Sequence, residues 1–238
     1  MKIYTVTDVG IGRSNNEDCY AIINDTTFLV ADGMGGYAAG EVASQMMADI
    51  ARRELTACQT IDEKVMGAVI RKANAEIIAV STAKPECKGM GTTVVMFHYQ
   101  ENNGYWANVG DSRCYLLRRD KFKQLSKDHS LVAEMVAEGS LSQKEAVNHP
   151  QRNVLTRAVG AEKRIKVDSG KFKLADGDKI LLCTDGITTV LSDTDIRQIL
   201  SEDVPDPAQA LIKAAMRAGS RDNLTAVVLI NKTEGSEG

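Results

Sequence analysis

Three apolar runs in this 238-residue chain end on an aspartate next to a small residue: Phe28-Leu-Val-Ala-Asp32-Gly33, Trp106-Ala-Asn-Val-Gly110-Asp111-Ser112 and Ile180-Leu-Leu-Cys-Thr184-Asp185-Gly186. Asp222-Asn223 stands just ahead of a fourth run at 226–231, and Asp18, after Asn16-Glu17, opens another at 19–24. Any one of these, standing alone, reads more readily as a turn than as a ligand, since Asp-Gly is a common turn dipeptide. Repeated against apolar strands, the pattern has a second meaning: if the strand ends share one edge of a sandwich, their carboxylates converge. Carboxylates held that close repel and raise one another's pKa. A divalent cation relieves the repulsion, and an all-oxygen donor set selects Mg2+ or Mn2+ over zinc. Glycine after Asp32 lets a backbone carbonyl approach such an ion. Arg13, five residues before Asp18, has the fork geometry to hold a phosphate or a carboxylate beside it; standing alone it would be an ordinary surface arginine.

Other chemistries are absent. The segment Asp32-Gly-Met-Gly-Gly-Tyr-Ala-Ala-Gly40 lacks the Gly-Lys-Ser/Thr of a nucleotide loop and the third spaced glycine of a dinucleotide fingerprint. It reads as a tight turn that starts the next helix close to the acidic edge. Five scattered cysteines (19, 58, 87, 114, 183) form no Cys-x-x-Cys pair, and the residues six positions after them are Asp25, Lys64, Thr93, Asp120 and Thr189, so no cysteine-phosphatase loop exists. They read as buried free thiols. The three histidines, His98, His129 and His149, fit no zinc-protease motif, and there is no Gly-x-Ser-x-Gly elbow. With 32 acidic against 29 basic residues, the net charge of −3 argues against nucleic-acid binding. The basic clusters at 118–123 and 163–166 are interrupted by other residues and read as solvated surface. No apolar run approaches the roughly 20 residues of a membrane span, and the first ten residues hold no apolar segment of a secretory signal. A cytoplasmic protein is expected.

The elements that must position these acids follow from periodicity. Strands are expected at 2–8, 19–24, 27–31, 92–99, 105–109, 113–118, 179–183 and 226–231. Helical stripes run over 40–57, with Val42, Ala43, Met46, Met47, Ile50, Ala51 and Leu55 on one face, and over 62–83. Ser192 caps a short helix to Leu200, and Asp206-Pro207 starts another through Arg217, stopped by Gly219. Residues 127–160 are polar and short-helical, an insertion over one sheet edge, and 233–238 read as a frayed tail. The expected fold is α+β, two antiparallel sheets packed face to face with helices on their outer faces, in a single domain over 1–238.

Taken together, these residues closely resemble the metal-dependent protein phosphatases of the type 2C family, in particular small bacterial members. The likeness runs in order along the chain: Arg13-x-x-Asn16-Glu17-Asp18; Val30-Ala-Asp32-Gly-Met-Gly-Gly36; Gly40-Glu41-x-Ala43-Ser44; Gly91-Thr92-Thr93; Asn108-Val-Gly-Asp111-Ser112-Arg113; Asp128-His129-Ser130; His149-Pro-x-Arg152-Asn153-x-Leu155-Thr156-Arg157-Ala-x-Gly160; Thr184-Asp185-Gly186; and Ser220-x-Asp222-Asn223-Leu-Thr225. The resemblance implies a four-layer α-β-β-α sandwich with a flap, here the insertion at 127–160.

It also implies roles. Asp32 would bridge two Mn2+ or Mg2+ ions, the Gly33 carbonyl would bind one of them, and Asp185 and Asp222 the other. Asp111 with Asp185 would form a weaker third site. Asp18 would hydrogen-bond a metal-bound water, backed by Glu17, and Arg13 would bind the substrate phosphate. The implied reaction is hydrolysis of phosphoserine or phosphothreonine by a hydroxide bridging the ions, without a phosphoenzyme. The implied partners are phosphorylated proteins and a cognate Ser/Thr kinase, with no nucleic acid or membrane, for a chain working as a monomer. In one respect the chain departs from many relatives: Met34 and Tyr37 occupy the stretch where those carry a histidine. The leaving oxygen's proton would then come from a water, or from His129 or His149 in the flap. A catalytically impaired relative acting as a phosphoprotein-binding regulator is the alternative, disfavoured because Asp32, Asp111, Asp185 and Asp222 all remain. A small-molecule phosphohydrolase is disfavoured too, since Asp193-Thr-Asp195 continues to Ile-Arg and lacks an Asp-x-Asp-x-Thr motif.

Overall fold

The structure, a computed structural model, describes residues 1–36 and 39–232. The expected frayed tail at 233–238 and Tyr37 lie outside the described residues. In chain order come β1 (Lys2–Asp8), β2 (Asp18–Ile23), β3 (Thr27–Met34), α1 (Ala39–Leu55), α2 (Glu63–Ala83), β4 (Gly91–Thr92), β5 (Val94–Gln100), β6 (Asn103–Val109), β7 (Arg113–Arg118) and β8 (Lys121–Gln124). They are followed by α3 (Leu131–Ala137), α4 (Gln143–Val147), β9 (Asp168–Lys173), β10 (Lys179–Cys183), α5 (Asp185–Thr188), α6 (Asp193–Ser201), α7 (Pro207–Arg217) and β11 (Leu224–Ile230).

One sheet has the order β1-β11-β10-β7-β8, the other β2-β3-β5-β6-β9 with β4 beside β3, and every pairing is antiparallel. Side chains alternate between two cores because successive strand residues point to opposite faces. In β3, Phe28 and Val30 enter the core between the sheets, while Leu29 and Ala31 pack under α1 and α2. In β10, Ile180 and Leu182 face the other sheet, whereas Leu181 and Cys183 meet the core under α6 and α7. Central strands buried on both faces read as continuous apolar runs. The result is the four-layer α-β-β-α sandwich. No helix among the described residues is long and apolar enough to cross a membrane.

Helix boundaries follow local chemistry. Asp62 caps α2 through Lys64 and Val65 N–H groups, Ser192 and Asp195 form a capping box on α6, and Asp206 with Pro207 starts α7. Val42, expected on the buried face of α1, is 39% exposed; the buried face is Ala43, Met47, Ile50, Ala51 and Leu55. The strand expected at 92–99 divides at Thr93 into β4 and β5, because the Thr93 N–H turns to the Asp32 carbonyl, 2.8 Å away. Strands β8 and β9, each at a sheet edge, carry Lys121, Lys123, Lys171 and Lys173, and this alternation of charge hid them from an apolar search. Cys87, Cys114 and Cys183 are buried free thiols, but Cys19 and Cys58 are partly exposed.

Candidate active site

Strands β2 and β3 place Asp18 directly opposite Asp32 in the antiparallel ladder. Contrary to the turn reading, β3 continues through Asp32 and Gly33 to Met34. Asp32 is fixed by its backbone: its N–H donates to Thr93 Oγ1 (2.9 Å), and its carbonyl accepts from Thr93 N–H (2.8 Å) and Thr92 Oγ1 (2.9 Å). The Thr93 and Ser112 hydroxyls lie 2.6 Å apart, which ties this strand end to the turn carrying Asp111.

The other sheet supplies Asp185 and Asp222. Asp185 opens α5 directly after β10. The preceding Thr184 hydroxyl donates to Asp18 Oδ2 (2.8 Å) and accepts the Thr225 N–H (3.0 Å), so one hydroxyl joins the two sheets at the site. Asp222 precedes β11. Its neighbour Asn223 accepts from Glu17 N–H (2.9 Å) and donates to the Val9 and Asn15 carbonyls (2.8 and 2.9 Å), pinning the loop that carries Arg13 and Glu17. Arg13 Nη2 stands 2.9 Å from both oxygens of Asp222.

The Gly-rich segment brings α1 against this edge. The Gly33 N–H donates to the Glu17 carbonyl (3.0 Å), which also accepts from Ser44 Oγ (2.7 Å). A Cβ on Gly33 would stand 2.1 Å from the Gly40 carbonyl oxygen, so only glycine fits this approach.

The electrostatics is that of a buried carboxylate cluster in which, among the described residues, Arg13 pairs with Asp222 alone. Burial, then the Asp185 and Asp222 charges, lifts Asp18 to about 7 against its hydrogen bonds from Thr184 and Thr225. Asp111 is raised to about 8 and Asp185 to about 6, again first by burial and next by a neighbouring carboxylate. Asp32 is raised well above the usual carboxylate range by burial and by Asp18, Asp185 and Asp111. Burial also raises Glu17. Asp18 Oδ1 is buried with no hydrogen-bond partner. An orphaned carboxylate oxygen among mutually repelling carboxylates is the signature of a place for a hard cation and its waters. Among the described residues no three acidic, histidine or cysteine side chains already stand in ligand geometry. Asp222 in particular is held by Arg13, so gathering the set around an ion requires that pair to loosen.

A cavity of about 690 Å3 opens over Asp32, Asp111, Asp185 and Asp222, with Arg13, Glu17, Gly33 and Met34 on its lining. A second hollow of about 910 Å3 runs from Asp111 and Asp185 under the flap helices α3 and α4. All the acids expected at the site, together with Arg13, thus meet at one end of the sandwich. His129 and His149 stand outside the carboxylate cavity, although His129 lines the second hollow. His129 is buried; its Nδ1 accepts the Gly110 N–H (3.0 Å), and its Nε2 lies 3.0 Å from Arg157 Nη1 and 3.4 Å from Asp168 Oδ2. Burial and the nearby Arg157 push its pKa below 6.5. His149 Nδ1 accepts the Gln151 N–H, and the residue lines neither cavity.

Sequence reasoning gave no role to the hydroxyls and amides that frame the acids: Thr93, Ser112, Thr184 and Asn223. Their signal was a polar residue beside an aspartate where an apolar strand ends. Arg164 and Lys166 are exposed, as expected of a solvated basic cluster, and they also border the cavity.

Comparison with known proteins agrees with this geometry. The sequence profile of protein phosphatase 2C matches residues 5–135. The chain is similar to the serine/threonine phosphatase stp of Listeria monocytogenes, 37% identical over 234 residues covering 94% of this chain and 93% of that one. The crystal structure of the Mycobacterium tuberculosis serine/threonine phosphatase PstP/Ppp superposes with a TM-score of 0.90 at 34% identity, covering 98% of this chain and 99% of the other. The catalytic domain of PstP in complex with two manganese ions gives a TM-score of 0.87 at 33% identity, covering 95% and 96%.

Proposed function

The chain belongs to the protein phosphatase 2C family, and we propose that it hydrolyses phosphoserine and phosphothreonine in proteins with Mn2+ or Mg2+ as cofactor. The observation that carries this reading is the convergence of Asp18, Asp32, Asp111, Asp185 and Asp222 with Arg13 around one end of both sheets. The two manganese ions of the related PstP domain support it.

In this reading Asp32, Asp185, Asp222 and the Gly33 carbonyl would hold two ions, and Asp111 with Asp185 would hold a weaker third. Such ions supply Lewis acidity and a nucleophilic water at neutral pH. The protein's own groups do the rest. Arg13 forks onto the phosphate oxygens and holds the phosphoryl group in line, exchanging its present partner Asp222 for the substrate. Asp18, braced by Thr184, uses its free Oδ1 to accept a hydrogen bond from water. Glu17, with its backbone fastened to Gly33, Ser44 and Asn223, holds the Arg13 loop against β3. His129 spends its lone pair on the Gly110 N–H, so we assign the proton for the leaving serine or threonine oxygen to water. Proteins phosphorylated by a Ser/Thr kinase are the inferred substrates.

The test is phosphate release from a phosphothreonine peptide by the purified chain. Release is expected with Mn2+ and abolished by a chelator. Release that survives complete chelation would overturn the metal-dependent reading.

A further inference from the structure

Residues between Arg157 and Lys166 line part of the active-site cavity, and this part is basic. Arg157, Arg164 and Lys166 line the same 690 Å3 cavity as Asp32 and Asp185, with Glu162 the one acid among them. Arg157 is committed, its Nη1 lying 3.1 Å from Asp168 Oδ1. Arg164 and Lys166 have no hydrogen-bond or ion-pair partner among the described residues.

The backbone that presents them is held at both ends. Val159 pairs with Thr92 through two hydrogen bonds of 2.8 and 2.9 Å. Asn74, buried in the apolar stripe of α2, accepts the Gly160 N–H on Oδ1 (2.7 Å) and donates from Nδ2 to the Glu162 carbonyl (2.8 Å). Gly160 meets this clamp with φ +94°, in the left-handed region. Beyond it Ile165 and Val167 pack on the core beneath α1 and α2, and Arg164, Ile165 and Lys166 border the cavity. A polar side chain buried in a helix to fix an exposed loop makes the loop a built feature of the site.

We infer that Arg164 and Lys166 read a second anion on the substrate, close in sequence to the residue being dephosphorylated. This rests on the phosphatase reading and names the substrate class: phosphopeptides with an acidic residue, or a second phosphorylated residue, beside the target. A sphere of the cavity's volume would be roughly 11 Å across, about three residues of extended chain at ~3.3 Å each, so the window tested is three positions on either side. Its two sources, a carboxylate or a phosphate, share the same recognition by unpaired cations.

The experiment compares kcat/KM for three phosphothreonine peptides of one scaffold: neutral flanks, aspartates within three positions, and a second phosphothreonine in that window. Wild type and the double variant Arg164→Gln, Lys166→Gln are assayed with Mn2+, at low salt and at 0.5 M NaCl as about the upper screening condition. The expected result is a preference of about 3- to 10-fold for an anionic flank, weakened by salt and collapsing towards unity in the double variant. Preference for both anionic peptides, or for the doubly phosphorylated one alone, supports the inference and identifies the source. Equal rates on all three peptides in wild type overturn it, as does a preference unchanged in the variant or a variant that slows all three alike. p-Nitrophenyl phosphate, which has no flank, separates the two readings. No Mn2+-dependent turnover of it by wild type would overturn the phosphatase reading and this inference together, whereas turnover without flank preference would overturn this inference alone.

Discussion

Arg13 and Asp222 hold one another across the mouth of the cavity: the guanidinium Nη2 lies 2.9 Å from each carboxylate oxygen, with the two side chains 50% and 38% exposed. Their hydrogen bond is the main reason the arginine's pKa stands above its ordinary value. At this exposure the pair adds little stability, so its interest lies in the role proposed for Arg13: it keeps the guanidinium fork over the site. Arg13→Ala is expected to lower kcat/KM for a phosphothreonine peptide by about 100-fold, and Arg13→Lys to recover only part of that, because an ammonium cannot fork. Steady-state kinetics decides the point. A loss of twofold or less in the alanine variant would remove Arg13 from phosphate binding.

The buried carboxyls make stability depend on pH in a definite direction. Asp18 at about 7, Asp111 at about 8 and Asp185 at about 6 all titrate above their ordinary value of 3.8. From about pH 4 to pH 8 the folded chain therefore binds more protons than the unfolded chain, so stability falls as pH rises through that window. In the presence of a chelator the melting temperature should drop steadily from pH 5 to pH 8. Adding Mn2+ should raise it by about 5 °C or more at pH 8 and by much less at pH 5, where protons compete for the ligands. A chelated protein that gains stability with pH, or a Mn2+ effect no larger at pH 8, would contradict this picture of the cluster.

Gly33 tests the spatial argument. A Cβ there would lie 2.1 Å from the Gly40 oxygen and 2.7 Å from the Glu17 oxygen, both backbone atoms with little room to yield. Gly33→Ala should push α1 off the acidic edge and cost about 2–4 kcal/mol in denaturant unfolding. Any folded fraction should show a blunted rise in melting temperature with Mn2+. Gly36, whose added Cβ would meet nothing within 4 Å, serves as the control. Equal tolerance of alanine at both positions would refute the close-approach argument.

The flap histidines separate a proton donor from a structural prop. A general acid matters most for a poor leaving group, so its loss should slow a phosphothreonine peptide far more than p-nitrophenyl phosphate. His149→Ala should change both rates less than about twofold, since the residue lines neither cavity. His129→Ala strips the Gly110 N–H of its buried acceptor and should cost about 1–3 kcal/mol of stability, lowering both rates by the same factor. A selective collapse of peptide turnover in either variant would assign that histidine the proton.

The fold was legible where strands are buried on both faces: β3, β10 and β11 announce themselves as apolar runs whose ends carry Asp32, Asp185 and Asp222. The helix starts at Asp62, Ser192 and Asp206 were equally plain, because capping is local chemistry. Edge strands β8 and β9 were not, since one open flank lets lysine replace the apolar signal. At the site, the acids and Arg13 could be read from residue type and spacing. The Thr184 hydroxyl linking Asp18 to Thr225, and the Asn223 amide fastening the Arg13 loop, could not. Each joins residues more than 40 positions apart, a relation only the folded chain creates. Arg164 and Lys166 are exposed, as the charged run implies, but their place beside the cavity is again visible only in the folded chain.

The central claim, that the carboxylate cluster around Asp32 is the metal-dependent engine of phosphate hydrolysis, is tested most directly by one ratio. This is phosphate release from a phosphothreonine peptide in saturating Mn2+ by Asp32→Asn relative to wild type, both shown to be folded. The substitution keeps the Asp32 backbone contacts to Thr92 and Thr93 and removes only the carboxylate charge. A ratio of about 0.01 or lower is predicted, the order of loss expected when a metal-holding charge is removed. A ratio near one would contradict the account.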